Sequence, residues 1–254
     1  SMSLLKILSV LSLGVMSAGC VSTAVEPPIR FGVEARLPPF ESRNDQGELV
    51  GLNIELARAL CAELQTRCVW IDQDDATHVQ ALEAGKFDVG IPMTTNPAHR
   101  DRLAFTDELY PLSHYLVAPV GTRLLPFARS LQGKRIGVLA GTRREAFAQA
   151  RWAPAGVTVR SFVSNSQLID SLVAGEIDAT LQDSVEIDQA LLSQPRGERF
   201  AFAGPAVRDP LLGSGVAMAV RKADTALRDD LNAAFDRIVR NGQYFEIVQR
   251  YAPQ

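Results

Sequence analysis

The chain has 254 residues, of which 46% are hydrophobic, enough to bury the core of one large domain or two small ones. This excludes a disordered chain and a small disulfide-stapled scaffold. With 26 Lys and Arg against 29 Asp and Glu, the net charge is -3 and no basic excess favours nucleic acid or an anionic membrane as partner. The histidines (His78, His99, His114) and three cysteines lack metal-ligand spacing, so we expect no metal and no other cofactor.

The N-terminal segment has the anatomy of a signal peptide, which we place at residues 1–24. Lys6 precedes an apolar run, Ile7–Met16, which is followed by the small residues Ser17–Gly19. The run has about half of the roughly 20 residues that a membrane-spanning helix needs, so we expect an exported, periplasmic protein. Cys20 resembles the lipid-accepting cysteine of a bacterial lipobox. Lipidation at Cys20 and cleavage after Ala24 both remain open.

Beyond the signal peptide, short predicted strands and helices alternate. In the first half we predict strands at 29–33, 69–71 and 87–91, helices at 52–60 and 79–84, and a turn at 44–47. In the second half we predict strands at 135–139, 157–162 and 177–181, helices from 144 and over 167–173, and helical segments over 221–251. This alternation predicts an α/β protein with mainly parallel sheets flanked by helices.

The two halves contain a related segment. Residues 82–90 and 172–180 share a helix end, a glycine (Gly85, Gly175), a hydrophobic residue, an aspartate and a strand. Two similar units indicate two lobes. Because ligands of open α/β sheets bind beyond the carboxyl ends of the strands, we expect the ligand site in the cleft between the lobes.

Cys61 and Cys68 lie at the end of a predicted helix and the start of the next strand. In an oxidising compartment a short-loop disulfide is feasible there, worth about 2 kcal/mol in the chain-entropy model. Two unpaired core thiols are the alternative.

Several segments, in this order and spacing, resemble the periplasmic amino-acid-binding proteins of ABC importers (solute-binding protein family 3). The similarity is greatest to the lysine/arginine/ornithine- and histidine-binding members and covers residues 29 to 251. The segments are 38–42 (PPFES), 46–57 (QGELVGLNIELA), 60–68, 104–107 (AFTD), 131–138 (LQGKRIGV), 152–156 (WAPAG), 182–183 (QD) and 241–244 (NGQY).

The resemblance implies a two-lobed type II binding-protein fold. Lobe 1 would comprise residues 25–113 and 214–254, and lobe 2 residues 114–213, with hinges near 114–118 and 213–217. Rotation of the lobes would bury the ligand, and a membrane permease would recognise the closed form. The resemblance also implies a Cys61–Cys68 disulfide, and we expect a monomer with a small-molecule ligand and no nucleic acid.

The resemblance further implies site residues. Arg100 matches the arginine that binds the ligand α-carboxylate through two parallel hydrogen bonds; a surface ion pair with Asp101 or Glu108 is its alternative. Asp183 matches the carboxylate that binds the α-ammonium, although it also suits a helix N-cap. Met93 and Thr95 lie on the loop after a lobe 1 strand, and Thr142 and Arg143 on the corresponding turn of lobe 2, before a helix N-terminus.

Other positions depart from the family pattern. Leu37 replaces the aromatic residue that covers the ligand, and Asp75, Pro92, Met93 and Arg143 also differ from it. Glu34 and Asp75 add to Asp183, giving three carboxylates against Arg100, a balance that a ligand with a cationic side chain would restore. Asp75 is equally suited to capping the next helix. If Arg143 points into the cleft, it would neutralise one carboxylate or bind a second ligand acid, as in an opine or a dicarboxylic amino acid.

We therefore expect a solute receptor for an ABC importer, without catalytic activity, that takes a cationic amino acid (arginine, lysine, ornithine or histidine). The alternative on the same fold is an enzyme similar to cyclohexadienyl dehydratases, which act on prephenate or arogenate. It would need a general acid in the cleft, for which Glu34 or Asp75 is a candidate if burial raises its pKa.

Overall fold

A computed structural model describes Gly19 and residues 26–74, 77–91 and 101–251. The signal peptide, with Cys20 and Ala24, lies outside these residues. In the first part of the chain the strands are β1 (Ile29–Val33), β2 (Arg36–Leu37), β3 (Glu41–Arg43), β4 (Leu49–Val50), β5 (Cys68–Asp72), β6 (Val89–Ile91), β7 (Leu103–Phe105) and β8 (Tyr110–Pro111). The helices there are α1 (Leu52–Glu63) and α2 (His78–Glu83).

The rest of the chain continues the alternation. Its strands are β9 (His114–Pro119), β10 (Arg135–Leu139), β11 (Thr158–Phe162), β12 (Ala179–Asp183), β13 (Phe200–Phe202), β14 (Gly215–Val216) and β15 (Ala219–Arg221). Its helices are α3 (Ala128–Leu131), α4 (Arg143–Phe147), α5 (Asn165–Val173), α6 (Ser184–Ile187), α7 (Thr225–Arg240) and α8 (Gln243–Gln249). Helix α4 continues into a π-helical segment at Ala148–Trp152, and α6 into another at Asp188–Leu192.

Ten of these strands form two five-stranded sheets, one in each lobe; β2, β3 and β4 form a small antiparallel sheet, and β8 pairs with β14. The lobe 1 sheet has the order β5-β1-β6-β15-β7, and the lobe 2 sheet has the order β11-β10-β12-β9-β13. In each sheet the first three strands are parallel, and the fourth runs antiparallel to both of its neighbours. The antiparallel strands β9 and β15 follow the two segments that connect the sheets. The sheets are therefore mixed, with parallel strands at one side of each.

An aspartate fixes the start of equivalent strands in both sheets. Arg30 of β1 binds Asp88 through its backbone N–H (3.1 Å) and through Nη2 (2.9 Å). Arg135 of β10 binds Asp178 in the same way, at 2.7 Å and 3.0 Å. These are the aspartates of the repeated segment in the sequence, so the repeat is a repeated structural unit.

Apolar side chains from both faces of each sheet form the cores. Phe31, Ile54, Leu56 and Leu60 are buried in lobe 1, and Leu116, Ile136, Val138 and Leu181 in lobe 2. A disulfide joins Cys61 at the end of α1 to Cys68 at the start of β5, with Cα atoms 5.9 Å apart, as predicted. None of the described helices has the length and apolar character needed to cross a membrane.

The two sheets are joined by a pair of adjacent connecting segments. Strands β8 and β14 pair antiparallel, and beside them Leu112 N–H donates to Ser214 O at 3.2 Å. Ser113 O then accepts from Ser184 N–H of lobe 2 (2.9 Å). The chain thus passes twice between the lobes at one place, next to the end of β12.

Candidate functional site

A cleft with an empty volume of about 860 Å³, part of it open to solvent, lies between the two lobes. Its lining comes from both lobes: Glu34, Leu37, Phe40, Tyr110 and Leu112 on one side, and His114, Leu139, Thr142, Arg143, Arg144, Asp183, Glu186 and Leu212 on the other, with Gly215 and Val216 from β14. This size suits a small molecule. Five predicted site residues, Glu34, Leu37, Thr142, Arg143 and Asp183, lie together here.

The other predicted ligand contacts cannot be placed in this cleft. Asp75, Met93, Thr95 and Arg100 lie outside the described residues, so their roles stay predictions. Within the part of the chain that is described, no three His, Cys, Asp or Glu side chains are grouped so as to hold a metal ion.

On the lobe 1 side, a buried hydrogen-bond chain holds Glu34 at the end of β1. Its backbone N–H donates to Glu41 Oε1 (2.8 Å), whose other carboxylate oxygen accepts from Asn53 Nδ2 (3.2 Å). Tyr110 Oη donates to Asn53 Oδ1. Burial raises the pKa of Tyr110 well above its usual value, so it remains a neutral donor.

The aromatic surface of the cleft comes from residues that the sequence did not indicate. Leu37 stands at the predicted covering position, but Phe40 and Tyr110 stack with ring centroids 6.0 Å apart and parallel planes. Both rings line the cleft. Lobe 1 therefore contributes a pair of stacked rings to the same cleft that Glu34 lines.

On the lobe 2 side, Thr142 and Arg143 lie at the start of α4. Thr142 Oγ1 accepts from Glu145 N–H (3.3 Å) and donates to Leu139 O (2.6 Å), which makes it the N-cap of the helix. Arg143 lines the cleft, and its Nη1 donates to Leu212 O at 3.4 Å. The guanidinium therefore lies between the cleft and the second connecting segment.

Asp183, at the end of β12, is almost fully buried and lines the cleft from lobe 2. Its Oδ1 accepts from Glu186 N–H at 2.7 Å, so it is the N-cap of α6. Its Oδ2 lies 3.8 Å from Nη1 of Arg144, a buried arginine. The N-cap interpretation of Asp183 is thus correct, and the carboxylate also faces the cleft.

Three ionisable residues near Asp183 were not found from the sequence. Arg144 belongs to α4, Glu186 to the first turn of α6, and His114 to the start of β9. Burial, with the nearby Asp183 charge, raises the pKa of Glu186 to about 8. Burial, with the nearby Arg144 charge, lowers the pKa of His114 to about 4. At neutral pH, Glu186 is therefore mainly protonated and His114 is neutral.

Residues 29–254 match the bacterial extracellular solute-binding proteins, family 3. The histidine-binding periplasmic protein of Salmonella typhimurium is 37% identical over 243 residues, covering 95% of this chain and 94% of the relative. The lysine/arginine/ornithine-binding periplasmic protein of Escherichia coli (strain K12) is 32% identical with the same coverage.

A solved structure of an ancestral arginine-binding protein bound to arginine has a TM-score of 0.78 at 27% identity, covering 89% of this chain and 98% of that one. The similarity confirms the two-lobed type II binding-protein fold expected from the sequence. With a family match over nearly the whole described chain, and relatives above 30% identity over most of its length, the chain belongs to the bacterial extracellular solute-binding proteins, family 3.

Proposed function

We propose that this protein binds an amino acid with a cationic side chain in the cleft between its lobes and delivers it to the membrane permease of an ABC importer. The observation that carries the proposal is the placement of carboxyl groups on both walls of the cleft. Glu34 belongs to lobe 1, and Asp183 and Glu186 belong to lobe 2. A ligand with two cationic groups would bridge the walls through charge-assisted hydrogen bonds.

Each ligand group has a proposed partner. Asp183 would accept hydrogen bonds from the α-ammonium, Glu34 would bind the cationic side chain, and Arg100 would bind the α-carboxylate. Leu37, Met93, Thr95, Thr142 and Asp75 complete the proposed contacts. The relatives described above, which are named for binding histidine and lysine, arginine or ornithine, support a ligand of this class.

A ligand with an additional carboxylate is the second candidate. Arg143 and Arg144 both line the cleft, and Arg144 lies within ion-pair distance of Asp183. A guanidinium at the cleft surface suits a second ligand acid, as in an opine or a dicarboxylic amino acid. The cationic ligand is favoured because Leu212 O already accepts a hydrogen bond from Arg143.

We also propose that the protein is a receptor and not an enzyme, because the curated relatives described above are binding proteins. Among the described cleft residues, Glu186 is the carboxyl whose raised pKa would suit the general acid that such an enzyme needs. Turnover of prephenate or arogenate by the purified protein would contradict the proposal.

The location and assembly proposed from the sequence accompany this function. We propose a monomer in the periplasm, with signal peptide 1–24, either free or anchored through Cys20. The lobe boundaries proposed are 113/114 and 213/214, which adjoin the paired segment of β8 and β14.

A thermal-shift panel on residues 25–254 tests the proposed ligand class. It would contain the common amino acids, ornithine, citrulline, octopine, histamine and prephenate. A ligand at a thousand times its Kd stabilises a receptor by about 4 kcal/mol. We expect arginine, lysine, ornithine or histidine to raise Tm, and the Glu34→Gln variant to need more ligand for the same shift. A shift with octopine or dicarboxylic amino acids alone would favour the second candidate, and no shift with any compound would contradict receptor function.

A further inference from the structure

The lobe 2 wall of the cleft holds two carboxyl groups on one helical turn. Asp183 is the N-cap of α6, and Glu186 is the third residue of that helix. The backbone N–H of Glu186 donates to Asp183 Oδ1 at 2.7 Å. Only 2% of Asp183 and 8% of Glu186 is exposed, yet both line the cleft. Of these two carboxyl groups, the family resemblance implies a ligand role for Asp183 alone.

One guanidinium lies within ion-pair distance of Asp183 and acts through its charge on Glu186. Arg144 approaches from α4, with Nη1 at 3.8 Å from Asp183 Oδ2, and its Nε is buried without a hydrogen-bond partner among the described residues. Asn165 of α5 donates to Glu186 Oε1 at 3.0 Å. Arg144 thus neighbours Asp183 and Asn165 binds Glu186, while the hydrogen bond from Glu186 N–H to Asp183 keeps the two residues on one turn.

The other charged or titratable groups around Glu186 come from several elements. His114 of β9, neutral near pH 7, and Arg143 of α4 line the same cleft from lobe 2, and Glu34 and Tyr110 line it from lobe 1. Arg36 and Arg196 line the adjoining groove. The charge of Asp183 raises the pKa of Glu186, and the charge of Arg144 lowers it.

Charge balance decides the protonation of this cluster. The buried groups are Asp183, Glu186 and Arg144, whereas Arg143 is only half-buried and donates to Leu212 O. With both carboxyl groups ionised, Arg144 would leave a net negative charge among these three buried groups, which is costly. One proton on Glu186 brings the three groups to neutrality. An arriving ligand cation supplies a second positive charge, which two ionised carboxylates would balance.

We propose that Glu186 is part of the ligand site: with Asp183 it forms a two-carboxyl receptor for a ligand's cationic group, and it releases its proton when that group binds. This inference rests on the proposed function, because it needs a cationic ligand in the cleft. It also predicts that Glu186 holds a proton in the folded protein without ligand, which can be tested separately.

Calorimetric titration of residues 25–254 with L-arginine, in buffers of different ionisation enthalpy at pH 7, tests the coupling. We expect release of roughly one proton per arginine bound, and an affinity that rises up to about tenfold between pH 6 and 7. Glu186→Gln should bind arginine with neither effect. Glu145→Gln, at the equivalent third position of α4, is the matched control and should behave as the wild type. Equal proton release by the wild type and Glu186→Gln would overturn the proposal.

Urea unfolding of the ligand-free protein separates this inference from the proposed function. The raised pKa of Glu186 means that the folded state holds a proton that the unfolded state has lost, so stability falls as pH rises towards 8. His78 and His114, with lowered pKa values, affect stability only below about pH 6.5. Between pH 6.5 and 8 we expect the wild-type midpoint to fall relative to that of Glu186→Gln. If the midpoints of the two proteins change with pH in parallel, Glu186 does not hold the proposed proton and the inference is overturned. If the wild-type midpoint falls as expected but arginine does not bind, only the proposed ligand is refuted.

Discussion

At the residue scale, Asp183 has a structural contact and a proposed ligand contact that substitutions can separate. Asparagine caps helices about as well as aspartate, so Asp183→Asn should preserve the hydrogen bond from Glu186 N–H. Glu186 can ionise to balance Arg144 in its place. We expect Asp183→Asn to change the free energy of unfolding by less than about 1 kcal/mol, and to weaken amino-acid binding by at least about tenfold through loss of a charge-assisted hydrogen bond.

Asp183→Ala provides the comparison for that prediction. It removes both the cap and the charge, so unfolding should become easier by about 1 kcal/mol more than in the asparagine variant. Urea denaturation and calorimetric titration measure the two quantities. Wild-type affinity in Asp183→Asn would show that the carboxylate serves α6 alone.

Local sequence patterns predicted that several residues lie in the cleft, but they did not predict which of them would be buried. Thr142 with Glu145 and Asp183 with Glu186 have the same capping-box spacing. The Glu145 carboxylate stays near the surface and accepts from Gly141 N–H, whereas Glu186 is buried beside Arg144. This difference depends on which lobe surface covers the helix, and spacing within the chain carries no such information.

At the element scale, the repeated aspartate makes a testable contribution to stability. Asp178 holds Arg135 at the start of β10, and the hydrogen bonds from Arg135 lower the pKa of Asp178. Because this pKa is lower in the folded state, the stabilisation is present above the usual value near 3.8 and is lost as pH falls through the folded-state pKa. We expect Asp178→Asn to cost about 1 kcal/mol at pH 7, and less below pH 4.

Asp170→Asn is the matched control for that prediction. Asp170 pairs with Arg196, and both side chains are largely exposed. Exposed ion pairs contribute little, so its urea midpoint should equal that of the wild type at every pH. An Asp178→Asn variant as stable as this control would show that the repeated aspartate is not needed to hold the strand.

Two glycines near α1 differ in why they are required. Gly51, the N-cap of α1, has φ 125° and ψ 174°, and a Cβ there would lie 2.4 Å from Phe40 O. Gly47, in the turn before β4, has φ 75° but open space around it. We expect Gly51→Ala to cost more than about 2 kcal/mol, from backbone strain plus collision, and Gly47→Ala about 1 kcal/mol. Equal urea midpoints for the two variants would contradict this distinction.

Element positions were predictable where the pattern was local. The predicted strands 29–33 and 135–139 coincide with β1 and β10. The strand predicted at 177–181 lies at Ala179–Asp183, because Asp178 serves as the anchor of Arg135 and the pairing with β9 extends to Asp183. The antiparallel β9 and β15 were not predicted in place, since their partners are remote in sequence and their direction depends on where the chain changes lobe.

At the scale of the whole molecule, the two lobes are joined only through adjacent, paired segments among the described residues, so the proposed ligand would touch both lobes close to their junction. The proposed ligand contacts Glu34 and Asp183 lie at the ends of strands in different sheets, β1 and β12. The segments that join the two sheets pair with each other through β8 and β14. A ligand that contacts Glu34 and Asp183 together would restrict both walls at once. The lobe boundaries predicted from the resemblance, 113/114 and 213/214, adjoin these same paired segments.

Hydrogen exchange measured with and without L-arginine tests this two-sided contact. We expect slower exchange for backbone amides in both 34–40 and 183–187, because occupied cleft walls open less often. The outer strand Thr158–Phe162 and helix Thr225–Arg240 should exchange at unchanged rates, and Asp183→Asn should lose the protection of both walls together. Protection confined to one wall would mean that the ligand binds a single lobe and that the paired segments do not transmit closure.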